Sequence, residues 1–376
     1  MKLARRLGWV LGATALLSCL GSGPAQAADE LPLGVILPMT GPAAAYGQMA
    51  WRGIELAREI QPEVLGRKVK LILLDNKSDK VESSNAAQRL VQRDGVKAII
   101  GALSSSTTLA AAPVAEAAEV PLVSGWATNP LVTKGKKWVF RTCFVDPFQG
   151  GVAARYAYAK LGARKAAMLV DISRDYSVGL ANFFQKAFEA AGGKIVAKAL
   201  YSSGDQEFSP QLGQIQAAGP DIIYLPGYLP EEPLIIRQAR ELGIKAPFLS
   251  GDAAQAEEVI KIGGPAVEGL YFTTHFDELG VTTPAGHAYA KAYNNRYGQA
   301  PDAMGALGYD AHLVVMDAIR RAGKADPAAI RQALEDTKDF AGATGVMTLT
   351  SHDAVKPAVI MKVDQGKFVF VDTVHP

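Results

Sequence analysis

Short apolar runs alternate with stretches of helical periodicity from Leu31 onward. Apolar runs at 33–37 and 69–74 read as strands, and each is followed by a helical pattern, at 47–60 and 81–93. The predicted strands are apolar on both faces, as strands of a parallel sheet covered by helices on both sides must be. This alternation predicts βαβ units and a doubly wound α/β fold.

Two series of such units follow each other. The first continues with a strand at 98–100, a helical stretch at 106–118 and a strand at 121–124. Because Pro113 falls inside that stretch, we expect a bend or a separate first turn there. The second series contains strands at 166–170, 194–200, 222–225 and 247–250 and helices at 176–191, 209–218 and 231–242. Two lobes are therefore predicted, joined near 146–150, where Pro and Gly interrupt the pattern.

The C-terminal part is helical and then β-like. Helical patterns cover 284–297, 304–322 and 327–337, and two β-like runs, 359–363 and 367–371, flank a hairpin signal, Asp364-Gln365-Gly366. These elements are too few for a third domain, so they must pack on the earlier lobes. The chain is therefore expected to cross between the lobes more than once.

Composition and charge argue against one class of function, the binding of nucleic acids. The chain has 376 residues, 49% of them hydrophobic, and its 39 Lys and Arg nearly balance its 37 Asp and Glu. Since no block of like charge stands out, the sequence lacks the basic surface that nucleic-acid binding requires. We therefore expect no nucleic-acid partner.

The N-terminus has the features of an export signal. Basic residues precede an apolar run at 7–20 and an Ala-x-Ala site that ends at Ala27, which predicts a signal peptide over 1–27 and a periplasmic product. A lipid anchor through Cys19 is the less favoured alternative, because Leu16-Leu17-Ser18-Cys19 resembles a lipobox only loosely. Removal of the signal leaves Cys143 alone, so an internal disulfide is excluded.

Motifs of common catalytic sites are missing. The sequence has no G-x-S-x-G elbow, no H-E-x-x-H pair and no phosphate-binding G-x-x-x-x-G-K-[ST] loop. Its five histidines are scattered, with no pair at the spacing of metal ligands: His275, His287, His312, His352 and His375. We expect no cofactor, no metal and no catalysis.

Candidate binding residues follow the predicted strands. Five hydroxyl residues, 104–108, precede a helix and could gather as an anion cradle; an ordinary N-cap is the equally weighted alternative. Thr128 follows the next strand. In the second lobe Tyr176, Tyr228 and Asp252 follow strands. Uncharged hydroxyls on one lobe and aromatics with a carboxylate on the other suit a zwitterion.

Several separated motifs carry a family resemblance. They are Met39-Thr40-Gly41-Pro42 with Tyr46-Gly47, the hydroxyl run 104–107, Ala127-Thr128-Asn129-Pro130, Gly227-Tyr228, and 237–240 with Leu242-Gly243. Through them the chain resembles the periplasmic branched-chain amino-acid (Leu/Ile/Val-type) binding proteins of ABC transporters over essentially its whole mature length. The resemblance implies a type I binding-protein fold, α/β, with two doubly wound parallel-sheet lobes joined by a three-segment hinge.

The resemblance also implies domain limits. One lobe would comprise 28–146 and 277–350, and the other 149–274 and 355–376. The hinge crossovers would lie near 147–148, 275–276 and 351–354.

Site residues are implied position by position. Ser105 and Thr128 resemble the residues of the first lobe that anchor the carboxylate and backbone of the ligand, and Tyr176, Tyr228 and Asp252 correspond to those of the second lobe that cover its ammonium end. The other implied ligand-binding positions are Tyr46, Leu103, Ser106, Trp126, Ala127 and Met304. Two departures affect the ligand: Asp252 stands where the family typically has Glu, and Trp126 occupies a position that is usually small, which should shrink or reshape the pocket.

The predicted function is amino-acid binding for import. The expected protein is a monomer that binds a branched-chain or similar aliphatic amino acid by hinge closure and delivers it to a membrane permease. Alternatives are a receptor for an amide or for an aromatic or other carboxylic acid, a sensory receptor, and an exported hydrolase that uses Ser105.

Overall fold

A first sheet of mainly parallel strands forms the core of one lobe. The computed structural model describes residues 30–281 and 283–376, so the predicted signal peptide and Cys19 lie outside the described residues. The strands are β1 (Leu31–Leu37), β2 (Glu63–Val64), β3 (Arg67–Asp75), β4 (Ile99–Ile100), β5 (Leu122–Ser124) and β6 (Val139–Arg141), in the order β2-β3-β1-β4-β5-β6. Only β2 pairs antiparallel. Three helices connect these strands: α1 (Ala44–Ile60), α2 (Lys80–Gln92) and α3 (Ser105–Ala118).

A second sheet forms the core of the other lobe. Its parallel strands are β7 (Lys165–Asp171), β8 (Lys194–Tyr201), β9 (Ile222–Tyr224), β10 (Phe248–Ser250) and β11 (Tyr271–Thr274). Its helices are α4 (Asp146–Ala159), α5 (Asp175–Ala190), α6 (Ser209–Ala218), α7 (Glu231–Glu241) and α8 (Glu257–Gly263).

The C-terminal segment contributes to both lobes. It contains α9 (Pro284–Tyr297), α10 (Ala303–Ala322), α11 (Pro327–Glu335), β12 (Phe340–Gly342), β13 (Gly345–Thr350), β14 (Asp353–Val355), β15 (Ala358–Asp364) and β16 (Lys367–Val374). Helix α10 packs on α1, β12–β14 form a small separate sheet, and β15 and β16 extend the second sheet as an antiparallel pair beside β11. The predicted α/β class with two parallel-sheet lobes is confirmed.

Both sheets change strand order where the site residues begin. The order reverses beside β1 and β4 in the first sheet and beside β7 and β9 in the second. Ligands of open α/β sheets bind outside the carboxyl ends of strands at such switch points. The loops after β4, β7 and β9 lead to Ser105, Tyr176 and Tyr228, respectively.

Glycines allow α10 to lie directly on α1. A Cβ at Gly53 would lie 1.8 Å from the carbonyl oxygen of Gly305, and one at Gly308 would lie 2.5 Å from that of Ala50. These distances leave no room for a methyl group. The crossing therefore joins an N-terminal helix to one that follows the parallel strands of the second lobe, β7 to β11.

Two local predictions are corrected. The segment 146–150 is not an interruption but the start of α4: Pro147 occupies the first turn, where its missing N–H costs nothing, and Gly150 lets α4 approach Phe183 and Phe184 of α5. The separate first turn considered for Pro113 is not seen, since α3 is assigned as one helix through it. The sequence patterns also give no prediction for α8 or for the strands β2, β6, β11 and β12–β14.

Two further observations concern the described residues. No helix among them is long and apolar enough to cross a membrane. Cys143, just after β6, is fully buried, and this burial raises the pKa of its thiol to about 12.

We expect Gly53→Ala to lower the free energy of unfolding by about 3 kcal/mol or more, because the added methyl overlaps backbone that cannot move freely. Gly213→Ala is the matched control: it lies in α6 with no atom within 4 Å of the added Cβ. There the higher helix propensity of Ala should raise stability by up to about 1 kcal/mol. Urea denaturation of both variants measures the difference, and equal effects would contradict the close-packed crossing.

Candidate functional site

The two lobes contact each other through loops at the carboxyl ends of their strands. The Tyr46 hydroxyl of α1 donates to the carbonyl oxygen of Ala253 (3.0 Å) and accepts from the Leu229 N–H (3.2 Å). Its ring lies edge-on to Tyr228, with the centroids 6.1 Å apart. Tyr46 therefore connects the first lobe to two separate loops of the second.

The five hydroxyls at 104–108 do not all gather at one point, which corrects that expectation: those of Ser104 and Thr107 bond each other (2.8 Å), and the others have different partners. Ser104 is the N-cap of α3 and accepts from the Thr107 N–H (3.3 Å). The Thr107 hydroxyl donates to the Ala102 carbonyl oxygen, and that of Thr108 accepts from the Ala102 N–H. Ser106 bonds to Asp175 across the lobe boundary. The anticipated N-cap is thus present at Ser104.

The Ser105 hydroxyl acts as an acceptor toward the loop 127–130, so its proton is left to donate. Its Oγ accepts from the N–H of Asn129 (3.2 Å), which joins the N-terminus of α3 to the loop 127–130. On that loop the Thr128 hydroxyl is buried and has no well-aligned hydrogen-bond partner among the described residues. Two hydroxyl groups beside a helix N-terminus can donate to a carboxylate.

Arg141 holds the loop that carries Thr128. Its side chain is fully buried and donates to the carbonyl oxygens of Ala127 and Asn129, each at 2.8 Å, and to Asp353 Oδ1 at 2.6 Å. A planar guanidinium can satisfy several acceptors at once, which fixes the loop. The carbonyl of Ala127, a predicted site residue, is therefore occupied by Arg141.

Asp252 is a buried carboxylate held by uncharged donors. Gln149 Nε2 and the Tyr176 hydroxyl donate to its Oδ1 (2.8 and 2.9 Å), and His275 Nε2 lies 3.2 Å from its Oδ2. Burial alone would raise the pKa of Asp252, but the hydrogen bond from His275, the charge of that ring when it is protonated, and the hydrogen bonds from Gln149 and Tyr176 together lower it. Burial lowers the pKa of His275 to about 4, so its ring is neutral near pH 7. Asp252 thus carries a negative charge with no positively charged side chain among these contacts near pH 7.

Two further acids are buried near Asp252. Burial raises the pKa of Asp146 and of Glu232 to about 8 each, and the charge of Asp252 adds to both shifts. Neither carboxyl has a well-aligned hydrogen bond to its side-chain oxygens. The Thr128 hydroxyl lies beside Asp146 and the Ser250 hydroxyl beside Glu232, and each partly opposes the rise in pKa. Both acids are therefore largely protonated at neutral pH and leave Asp252 as the ionised member of the group.

Aromatic rings lie on one side of Asp252: Tyr176 bonds to it, and the Tyr176 and Tyr228 rings are 4.9 Å apart. Tyr228 also lines a small pocket between the lobes together with Leu103 and Arg174, and Asp252 is not part of that lining. Leu103 has a φ of +75°, a strained conformation for a side chain with a Cβ, and such strain concentrates at functional sites.

Trp126 packs against α10. Its Nε1–H donates to the carbonyl oxygen of Met304 (2.9 Å), and its ring is buried beside Gly308. This contact fixes the orientation of the indole and joins two of the predicted pocket residues.

Four residues of the site are not among those predicted from the sequence: Gln149, Glu232, His275 and Asp175. Gln149 lay in the segment interpreted as an interruption, and His275 has no second histidine at metal-ligand spacing. Among the described residues no group of three or more His, Cys, Asp or Glu is arranged to hold a metal ion.

Comparison with known proteins places this geometry among binding proteins. The sequence matches the family model described as periplasmic binding protein over residues 30–367. The leucine binding protein LivK of Thermotoga maritima is 46% identical, with a TM-score of 0.91 over 92% of this chain and 99% of its own. LivJ of Streptococcus pneumoniae, a branched-chain amino acid transporter substrate binding protein in complex with isoleucine, is 31% identical (TM-score 0.87; 93% and 100% covered). A solute binding protein of an ABC transporter from Rhodopseudomonas palustris, in complex with 3,4-dihydroxybenzoic acid, is 25% identical (TM-score 0.83; 92% and 98% covered).

Glu232→Gln should change how stability depends on pH. Because the pKa of Glu232 is higher in the folded chain (about 8) than its ordinary value of 4.5, its contribution is full below pH 4.5 and is lost as pH rises through 8. Glutamine does not titrate. The unfolding free energy of the variant minus that of the wild type should therefore rise between pH 5 and pH 8, by on the order of 4 kcal/mol. Denaturation at both values tests this, with Glu257→Gln as the exposed control; a constant difference would show that Glu232 is ionised throughout.

Proposed function

The chain belongs to the periplasmic binding protein family, and from this premise we propose that it is the solute-binding component of an ABC importer for a branched-chain or similar aliphatic amino acid. Its family and fold are those of transporter binding proteins, and the chain is not an enzyme. The alternative of an exported hydrolase using Ser105 is therefore dropped. The location that accompanies this function is the periplasm, and the partner is a membrane permease.

The observation that carries the amino-acid assignment is the buried Asp252. An ionised carboxylate in a water-poor site needs a cation, since desolvation of the charge is otherwise costly. The recorded partners of Asp252, namely Gln149, Tyr176 and His275, are neutral near pH 7. A ligand ammonium group supplies the missing charge, and the faces of Tyr176 and Tyr228 favour a cation beside them.

The first lobe provides the complementary half. Ser105 retains a hydroxyl proton to donate at the N-terminus of α3, and the Thr128 hydroxyl, which lies beside the Asp146 carboxyl, is on the loop that Asn129 joins to Ser105. Such a set of donors without a positive side chain suits a carboxylate. In this arrangement the two charged ends of an amino acid bind opposite lobes, and Tyr46, Leu103, Trp126 and Met304 provide walls for its aliphatic part.

Binding across two lobes implies closure by a hinge. We place the crossovers near 147–148, 275–276 and 351–354, with lobes of 28–146 plus 277–350 and 149–274 plus 355–376. The assignment of strands to the two sheets supports these limits, because the first sheet ends at Arg141 and the last strands, β15 and β16, return to the second sheet. Ligand contacts to both lobes stabilise the closed form.

Calorimetry on refolded, ligand-stripped protein tests the proposal with leucine, isoleucine, valine, an aliphatic amide and benzoate. We expect heat of binding with at least one of the three amino acids. Binding of benzoate or the amide alone would assign the site to the related acid or amide receptors instead. No heat with any amino acid, together with none released on denaturation of the purified protein, would contradict the assignment.

Asp252→Asn should weaken binding of leucine by about 2 to 5 kcal/mol, because the variant keeps the shape of the side chain but removes the charge that faces the ammonium group. The matched ligand is 4-methylpentanoate, which is leucine without its amino group. Its affinity for the variant should be unchanged or higher. Asp205→Asn, at an exposed position of the second lobe, is the control variant. Equal losses for both ligands would indicate that Asp252 acts on the fold and not on the ammonium group.

A further inference from the structure

Helix α5 begins without a capping side chain of its own. Arg174 occupies the N-cap position and makes no side-chain hydrogen bond to the first turn. The first N–H groups of a helix need acceptors from outside the helix. The Asp175 N–H finds one in the other lobe, where it donates to the Ser106 hydroxyl oxygen (3.0 Å).

Three more contacts from the first lobe converge on Asp175. The Ser106 hydroxyl donates to Asp175 Oδ2 (2.7 Å), Asn129 Nδ2 donates to the Asp175 carbonyl oxygen (2.8 Å), and Lys80 Nζ lies 3.4 Å from Oδ2. Ser106 and Asn129 are buried, whereas the Asp175 side chain is 39% exposed, so both hydrogen bonds are partly shielded from water. Lys80 is more than half exposed, so screening makes its ion pair weak.

We propose that Asp175 is a positioning residue and that its contacts with Ser106, Asn129 and Lys80 form an interlobe latch that slows solute release. The proposal rests on the proposed function, since it assumes that the lobes separate to release a solute. Separation would break all four contacts and leave the first N–H of α5 without this acceptor. The latch thus stabilises the closed form without touching the solute.

The sequence places the latch directly beside the site. Ser106 follows Ser105, whose hydroxyl we assign to the ligand carboxylate, and Asp175 precedes Tyr176, whose hydroxyl bonds Asp252. On α3 and on α5, one residue forms the latch and its neighbour in the chain belongs to the ligand site. Contact at the latch therefore also fixes the positions of Ser105 in the first lobe and Tyr176 in the second. This adjacency couples interlobe closure to the positions of the ligand-binding groups.

The test is a double-mutant cycle of Ser106→Ala and Asp175→Ala with L-leucine as the probe. Stopped-flow measurement should show dissociation about tenfold faster in each single variant, and the double variant should change by less than the product of the two effects, because the hydrogen bond between the Ser106 hydroxyl and the Asp175 carboxylate is lost in both. The unfolding free energy of the ligand-free protein is measured alongside, since a merely structural role would lower it by the same amount. Additive effects, or unchanged dissociation rates, would overturn the latch.

Lysine variants and a conformational readout complete the test. Lys80→Met should speed dissociation slightly and only at low salt, whereas Lys77→Met, which removes a pair with Glu82 inside one lobe, should not. Energy transfer between dyes at Lys68→Cys and Lys198→Cys follows the lobe separation. If leucine does not bind, the proposed function fails on its own, and the latch is then judged on ligand-free protein, where the Asp175→Ala variant should be more open. An unchanged separation there would overturn the latch.

Discussion

The rest of the site is organised by one constraint, a carboxylate that must stay ionised away from water. Desolvation of a charge costs several kcal/mol unless donors or an opposite charge offset it. At Asp252 the protein supplies donors only: an amide, a phenol and an imidazole that burial keeps neutral. In the proposed function the ligand supplies the offsetting positive charge, and its ammonium group is then a condition of tight binding.

The same principle explains why three buried acids can coexist. If Asp146, Glu232 and Asp252 were all ionised, repulsion and desolvation would make the closed arrangement prohibitively unstable. Burial instead keeps Asp146 and Glu232 protonated near neutral pH, and hydrogen bonds select Asp252 as the charged group. The local environment thus gives chemically similar carboxyl groups different protonation states at the same pH. The neutral acids retain the ability to donate a hydrogen bond.

Periodicity predicted most of the fold because long helices and buried strands leave strong local signals. Predicted and observed bounds agree within three residues for α1, α5 and α10. The start of α4 is an exception: Pro147 and Gly150 are typical of a break between elements, yet Pro147 lies in the first turn of α4 and Gly150 allows the helix to pack closely on α5. Short strands such as β6 and β12 carry too few residues for a pattern.

The candidate site was predictable only where residues follow strands. Ser105, Tyr176, Tyr228 and Asp252 could be placed at strand ends, but their hydrogen-bond partners come from distant segments. Gln149 and His275 are 103 and 23 residues from the Asp252 they contact, and no spacing rule connects them. Likewise, a run of five hydroxyl residues does not reveal which one caps, which one braces a loop and which one crosses to the other lobe.

The glycine crossing of α1 and α10 has a consequence for biosynthesis. Every strand of the first sheet has been synthesised by residue 141, yet the helix that covers α1 is not complete until residue 322. A nascent chain therefore exposes the face of α1 that α10 covers while the parallel strands of the second lobe, β7 to β11, are translated. During that interval chaperones can bind the exposed apolar surface. The native packing of α1 cannot form before nearly the whole chain has left the ribosome.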